Sequence, residues 1–328
     1  MRIAILSDGR PGHYNQSLGI AKIISEERDT AVTIIESKLK LNSFRSVLRL
    51  YQRSLIKNFI TKNAQKIIDL YEIKFINEYD LIISSGGDVA YLSASLSKVF
   101  NIKNIHIGSV KHINLKSYDL HITLEKNEDS PNNLVTELPP TKYTPVNDGI
   151  KKNKILFLIG GDGAGYSYSL DDWNSFIKNV EELKEELHIS PIIVTSRRTS
   201  PAHEEYIYDK TIDFADNLSI WQHKKDKSNY DLDYLFNNID GIYVTEDSGM
   251  MTTESISSGL PVCTLYPNSS RPNAAFEKQL KKYESMELII RKSFYSKFKS
   301  LSNNMNSSAK VNEIKERLKN NIYGHLSI

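Results

Sequence analysis

The residues best equipped for chemistry gather at a few points, and the first comes early: Ser7-Asp8-Gly9-Arg10-Pro11-Gly12-His13, followed by Asn15-Gln16-Ser17. Asp8 and His13 set a carboxylate and an imidazole close together in sequence, a combination suited to taking a proton from a hydroxyl near neutral pH. Gly9 and Gly12 permit a tight turn and a close ligand approach, while Arg10 and Gln16 add a cation and an amide. The segment lies between an apolar run and a helical pattern, so it occupies the carboxyl end of a strand ahead of a helix N-terminus, where α/β enzymes bind anions and substrates. It has neither the Lys-Ser/Thr of a Walker loop nor the third glycine of the dinucleotide fingerprint. The plainer alternative is that Asp8 caps the helix and His13 is surface polarity.

Three further loops lie in the second half. Gly160-Gly161-Asp162-Gly163-Ala164-Gly165 follows an apolar strand and is expected to turn N–H groups toward a ligand. Thr195-Ser196-Arg197-Arg198-Thr199 pairs two guanidiniums with hydroxyls, a set suited to phosphate or sugar-acid oxygens. Thr245-Glu246-Asp247-Ser248-Gly249-Met250-Met251 opens a helix whose positive end favours a diphosphate, and Glu254 follows, placed to accept from a ribose hydroxyl. Glu254 could equally be an ordinary helix carboxylate. Asp231-Leu232-Asp233 matches a divalent-cation pattern but reads better as a helix cap, so neither a metal nor another cofactor is expected. The lone Cys263 excludes disulfides and multi-cysteine metal sites and reads as core packing.

Strands and helices alternate around these loops. Strand candidates are Arg2 to Leu6, Val32 to Glu36, Leu81 to Ser84, Asn104 to Ile107 and Leu120 to Thr123. After them come Lys154 to Ile159, Pro191 to Thr195, Gly241 to Val244 and Pro261 to Leu265. Helical patterns such as Ile20 to Glu27, Val89 to Phe100, Trp173 to Leu187 and Gly249 to Ser258 lie between, which is the rhythm of parallel sheets. The fold class is therefore α/β, with two doubly wound Rossmann-like domains facing a cleft. We expect residues 1–140 to form an acceptor-side domain, 151–310 a nucleotide-sugar domain, and a helix in 311–328 to pack back on the first. The breaker-rich stretch Leu138 to Gly149 reads as the linker. With 328 residues the chain exceeds one typical core, and its net charge of +2 gives no reason to expect nucleic acid. No apolar run is long enough to span a membrane and Ile3 to Leu6 is too short for a secretory signal, so a cytoplasmic location is expected.

Residues 42–62 read as one amphipathic helix, with Phe44, Leu48, Tyr51, Leu55 and Phe59 on one face and Arg45, Arg49, Arg53 and Lys57 on another. Like charges at that spacing repel, so an anionic neighbour must offset them. An inner-membrane surface, an anionic acceptor, or acidic residues elsewhere in the fold would serve.

Together, these segments resemble the Elm-type family, named after a plant mitochondrial fission factor and represented in bacteria by proteins assigned as glycosyltransferases of surface-polysaccharide clusters. The residues carrying the resemblance are Ser7 to His13 with Asn15-Gln16-Ser17, Ile159-Gly160-Gly161, Thr195 to Thr199, and Val244-Thr245 through Asp247-Ser248, Met251, Glu254 and Gly259-Leu260-Pro261-Val262. Asp119 to Thr123 leading to Asn133-Leu134-Val135-Thr136 adds to it. The resemblance implies the GT-B architecture, whose C-terminal domain holds a nucleotide sugar while the N-terminal domain presents the acceptor. The expected activity is metal-independent transfer of a sugar to a cell-surface glycan or lipid-linked acceptor, as in polysaccharide or lipopolysaccharide synthesis. His13 or Asp8 would be the base, and Arg197, Arg198 and the turns at Gly161 and Gly249 would hold the leaving group. The alternatives are a nucleotide-sugar hydrolase or 2-epimerase of the same fold, and a non-catalytic recruitment protein.

Overall fold

The computed structural model describes residues 1–57, 59–76, 78–110, 112–113, 115–127, 131–146, 149–224, 231–301 and 307–326. It divides the chain into two compact units, Met1–Lys142 with Glu313–Ile328 and Tyr143–Asn312.

Unit 1 has central strands that are buried on both faces, the pattern of a parallel sheet covered by helices. Its strands are β1 (Arg2–Ser7), β2 (Ala31–Glu36), β3 (Lys38–Leu39), β4 (Tyr71–Glu72), β5 (Leu81–Ser85), β6 (Lys103–Ile107), β7 (Leu120–Thr123) and β8 (Asn133–Val135). Six of them form a parallel sheet in the order β2-β1-β5-β6-β7-β8, and β3 and β4 make a separate antiparallel pair. The helices are α1 (Pro11–Ser25), α2 (Arg45–Lys57), α3 (Thr61–Ile68) and α4 (Ala90–Phe100). One face of the sheet packs Ile3, Ile5, Ile83 and Ile105 against Ile20 and Ile24 of α1. The other packs Ala4, Leu6 and Ile82 against Leu55, Ile56, Ile67 and Leu92. The order reverses between β1 and β5, so the loops leaving these two strands flank the switch point at which open α/β sheets bind ligands.

Unit 2 repeats this plan with β9 (Lys154–Ile159), β10 (Ser190–Thr195), β11 (Gly241–Thr245), β12 (Val262–Tyr266) and β13 (Ile290–Ser293), in the parallel order β10-β9-β11-β12-β13. Its helices are α5 (Leu170–Leu187), α6 (Pro201–Thr211), α7 (Leu232–Phe236), α8 (Gly249–Ser257) and α9 (Ala274–Ser285). The core is aromatic: Phe157 stacks on Tyr243, Tyr243 on Phe298, and Trp173 on Tyr168. Here the reversal falls between β9 and β11. Cys263 is wholly buried in β12, which pushes its thiol pKa far up and suits packing rather than nucleophilic chemistry. Asp231 caps α7, accepting from the Tyr234 N–H at 2.9 Å.

Three local readings change. Residues 42–62 are not one helix: a 3-10 turn over Asn42–Phe44 leads into α2, which ends at Lys57 before α3 begins at Thr61. Of the three offsets open to the basic face of this stretch, acidic residues elsewhere in the fold answer Arg45 and Arg49, which pair with Asp88, while the apolar face is divided: Leu55 is buried, and Phe44 and Tyr51 are exposed. Finally, the first part of the expected linker is packed: Leu138, Thr141 and Tyr143 are buried, and Gly19 fits where any Cβ would meet the Thr141 backbone at 2.6 Å. The last helix, α10 (Ser307–Leu326), belongs to unit 1 from Glu313 onward. There the Tyr323 hydroxyl reaches the Ile23 and Ile24 carbonyls, each at 3.1 Å, and Lys319 pairs with Glu27 at 2.9 Å.

Candidate active site

In unit 1 the loop after β1 turns at Gly9, whose φ of +77° favours glycine, and Asp8 Oδ1 accepts the Arg10 N–H at 3.1 Å. Asp8 therefore closes the turn and does not cap α1, which starts at Pro11 behind Arg10 with no side-chain cap. Gly12 and His13 lie in the first turn of α1. His13 Nδ1 lies 2.8 Å from Asp8 Oδ2. The Asp8 carboxylate is only 4% exposed. Burial works to raise its pKa, yet the His13 hydrogen bond and charge, with the Arg10 N–H and guanidinium, hold it below the ordinary carboxylate value. An ionised Asp8 requires Nδ1 to donate, which leaves the lone pair of a neutral His13 ring on Nε2. Gln16 Oε1 accepts from Ser85 Oγ at 2.7 Å, fastening α1 to the end of β5.

The loop after β5, Gly86-Gly87-Asp88, is a part of this site not singled out from the sequence. Asp88 collects three arginines: Arg45 and Arg49 of α2 hydrogen-bond its carboxylate, and Arg10 Nη2 lies at 3.4 Å. Burial opposes ionisation of Asp88, but the two α2 arginines outweigh it and lower its pKa. The Tyr71 hydroxyl donates to the Asp88 carbonyl at 2.8 Å and braces the loop from behind. A signal was present in the sequence, because Gly86-Gly87-Asp88 after an apolar strand matches Gly160-Gly161-Asp162 after β9.

Beneath the site, Ser84, His106 and His121 stand side by side on three neighbouring strands. His106 is fully buried, stacks on Tyr118, and lies with Nδ1 2.8 Å from Ser84 Oγ. Its burial, with the nearby histidines, pushes its pKa down to about 3, so the ring is neutral.

In unit 2 the structure brings Gly160, Gly161, Arg198, Thr245 and Asp247 together. The Gly160 N–H donates to Thr245 Oγ1 at 2.7 Å and the Gly161 N–H to Asp247 Oδ2 at 3.2 Å. These two N–H groups thus serve the fold of the loop, whereas the sequence suggested that they face a ligand. A Cβ at Gly160 would fall 2.1 Å from the Asp247 carboxylate, and one at Gly161 would fall 1.8 Å from the Arg198 carbonyl oxygen. Both glycines let the three loops interlock. Asp247 also accepts from the Tyr168 hydroxyl at 3.0 Å and pairs with Arg198 at 2.5 Å. Its burial raises its pKa and prevails over the lowering by Thr245, Arg198, the Gly161 N–H and Tyr168.

Next to Asp247, the side chain of Glu246 is wholly buried and satisfied on every side: Arg291 at 2.7 and 2.8 Å, Thr264 at 2.7 Å and Tyr166 at 2.9 Å. Arg291 continues to Glu277 at 3.0 Å. Arg197 is exposed, while Ser196 Oγ accepts the Arg198 N–H at 3.2 Å and closes the turn. Ser248 caps α8 by accepting the Met251 N–H at 3.3 Å, and Gly249 follows as the first helical residue. Glu254 is buried farther along α8, close enough to Tyr143 to help burial raise that hydroxyl's pKa. Close to Tyr143, a cavity of about 280 Å³ is lined by Thr144, Pro145, Val146, Asp233 and Asn237.

Two parallel, doubly wound units, each with its polar groups gathered at a reversal of strand order, define a Rossmann-like α/β protein of two units. The chain belongs to the family described as Mitochondrial fission ELM1, whose model matches residues 11–316. No curated protein matches it in sequence. Among solved structures it is similar to a Listeria monocytogenes protein assigned as a UDP-N-acetylglucosamine 2-epimerase, with TM-score 0.49 and 11% identity over 99% of this chain and 96% of that one. It is also similar to Anabaena HepE in complex with UDP and glucose, with TM-score 0.47 and 13% identity over 100% and 99% of the two chains. The Escherichia coli ADP-heptose lipopolysaccharide heptosyltransferase II gives TM-score 0.47 and 11% identity over 97% and 100%.

Proposed function

We propose that the protein is a metal-independent glycosyltransferase that moves a sugar from a nucleotide-activated donor to a cell-surface glycan or glycolipid acceptor. The observation that carries this reading is the His13–Asp8 pair at the switch point of unit 1. Asp8 fixes the ring and its tautomer, so Nε2 is the atom that takes the acceptor proton. The acceptor oxygen then bonds to the anomeric carbon as that carbon's bond to the diphosphate oxygen breaks. In this reading His13 is the base and Asp8 acts through it as a positioning residue.

Unit 2 takes the donor in this reading. The N-terminus of α8 and the exposed Arg197 stabilise the departing diphosphate, and Glu254 accepts from the ribose. Arg198 is already engaged with Asp247 and shapes the loop.

The test is incubation of the pure protein with a panel of nucleotide sugars, with and without oligosaccharide and lipid-linked acceptors. Nucleotide release that requires an acceptor supports transfer. Turnover without acceptor would assign hydrolysis or epimerisation, and absence of nucleotide binding would leave a recruitment role.

A further inference from the structure

Helix α2 divides its apolar residues between two sides. Its buried residues are Gln52, Leu55 and Ile56, and on the same side Arg45 and Arg49 reach inward to Asp88. The opposite side carries Val47, Leu50 and Tyr51 at the three- and four-residue spacing of one helical stripe, with Phe44 and Leu41 continuing it. These five side chains are 43–62% exposed, Leu50 the most. A contiguous apolar stripe of this kind marks an interaction surface.

Charge indicates what covers it. Between Glu36 and Asp69 the chain has eight basic residues, Lys38, Lys40, Arg45, Arg49, Arg53, Lys57, Lys62 and Lys66, and no acidic one. With Arg45 and Arg49 held on Asp88, the outward charge comes from Lys40, Lys57, Lys62 and Lys66, all exposed. Two copies of such a face would repel each other. An anionic bilayer matches both features, since apolar side chains enter the acyl boundary while lysines meet the headgroups. We propose that the face formed by Leu41, Phe44, Val47, Leu50 and Tyr51, with the exposed lysines of the same stretch of chain, docks the protein on an anionic lipid surface. The proposal rests on α2 and its surroundings and is independent of what the nucleotide site does.

The experiment is co-sedimentation with vesicles of phosphatidylcholine alone, or of three parts phosphatidylcholine to one part phosphatidylglycerol, at low and high salt. Wild type is expected to bind the anionic vesicles, to release in salt, and to ignore the neutral ones. Val47→Ser with Leu50→Ser should lose at least about tenfold in binding while keeping the wild-type melting temperature, because the removed side chains are exposed. Lys57→Gln and Lys62→Gln should each cost about fivefold. Arg45→Gln should spare vesicle binding, because that side chain is turned to Asp88. The emission of Leu50→Trp should shift to the blue on anionic vesicles and be quenched by brominated lipid. Equal binding by wild type and the double serine variant, no binding by wild type, or an unshifted tryptophan would each overturn the proposal. So would a concentration-dependent dimer in sedimentation velocity that the double serine variant abolishes, since a second copy would then be the occupant.

Discussion

The His13 ring lies directly on the backbone of Gly86: a Cβ there would fall 2.2 Å from Nδ1, and Gly86 holds a φ of +88°. Gly86→Ala is therefore expected to push the imidazole away from Asp8 and to strain the loop, costing about 1 to 3 kcal/mol of stability. Chemical denaturation measures the second effect, and the ring chemical shifts of His13 measure the first. Unchanged shifts would show that the glycine is not what seats the histidine.

The same pair makes a kinetic prediction. His13→Ala should lower the rate of sugar transfer by about two to four orders of magnitude, the typical loss of a general base, with nucleotide affinity retained. Asp8→Asn should reduce the rate while leaving a His13-dependent limb in the pH profile, because the base itself remains. If Asp8→Asn removes that limb and His13→Ala does not, their roles are exchanged.

Burial of neutral histidine gives a pH signature. His106 has its pKa pushed from an ordinary 6.5 down to about 3, so between those values the unfolded chain binds a proton that the folded chain does not. Stability should thus fall as the pH drops below 6.5, by about 1.4 kcal/mol per pH unit. His121, also lowered by burial, adds in the same direction. Asp8 and Asp88, both lowered, stabilise above 3.8 and lose that contribution only in stronger acid. Denaturant midpoints from neutral pH to about pH 4, compared between wild type and His106→Gln, isolate the His106 contribution from that of Asp247, whose raised pKa acts in the opposite direction, and the substitution should flatten the slope.

The strand and helix rhythm was legible because a parallel strand buried on both faces is an unbroken apolar run, as Ile3 to Leu6 and Ile155 to Ile159 are. The loops that follow those strands were legible as concentrations of glycine and charge. Pairings across the fold were not. Asp88 meets Arg45 and Arg49 from about forty residues away. Glu246 meets Arg291 from 45 away. No local spacing encodes either. The seating of α2 was hidden for a different reason: periodicity shows that two faces differ, while the partner decides which one turns inward, and here the half-buried Asp88 carboxylate claims Arg45 and Arg49.

Glu246 is the least forgiving of these pairings. Its side chain is wholly buried, and Arg291 is its only cationic partner among the described contacts. Arg291→Met should cost about 3 to 5 kcal/mol, because it strands a charge away from water. The pair Arg291→Met with Glu246→Leu should recover part of the loss. A melting temperature unchanged by the single substitution would contradict the buried arrangement.

The two adjacent arginines of unit 2 should separate cleanly. Arg198→Ala strands Asp247, whose side chain is wholly buried and whose partners tie the loops after β9 and β11, so its main effect should be on stability. Arg197 is exposed, so Arg197→Ala should leave the melting temperature alone and weaken turnover and nucleotide binding, by about 1 to 3 kcal/mol for a lost charged hydrogen bond. Glu254→Ala should weaken nucleotide binding on a similar scale, about 1 to 3 kcal/mol. Calorimetric titration with nucleoside diphosphates, run beside thermal melts, distinguishes these outcomes. Full affinity in a folded Arg197→Ala and in a folded Glu254→Ala would move the donor site off these loops, whereas loss in Arg197→Ala alone would place the diphosphate without the ribose.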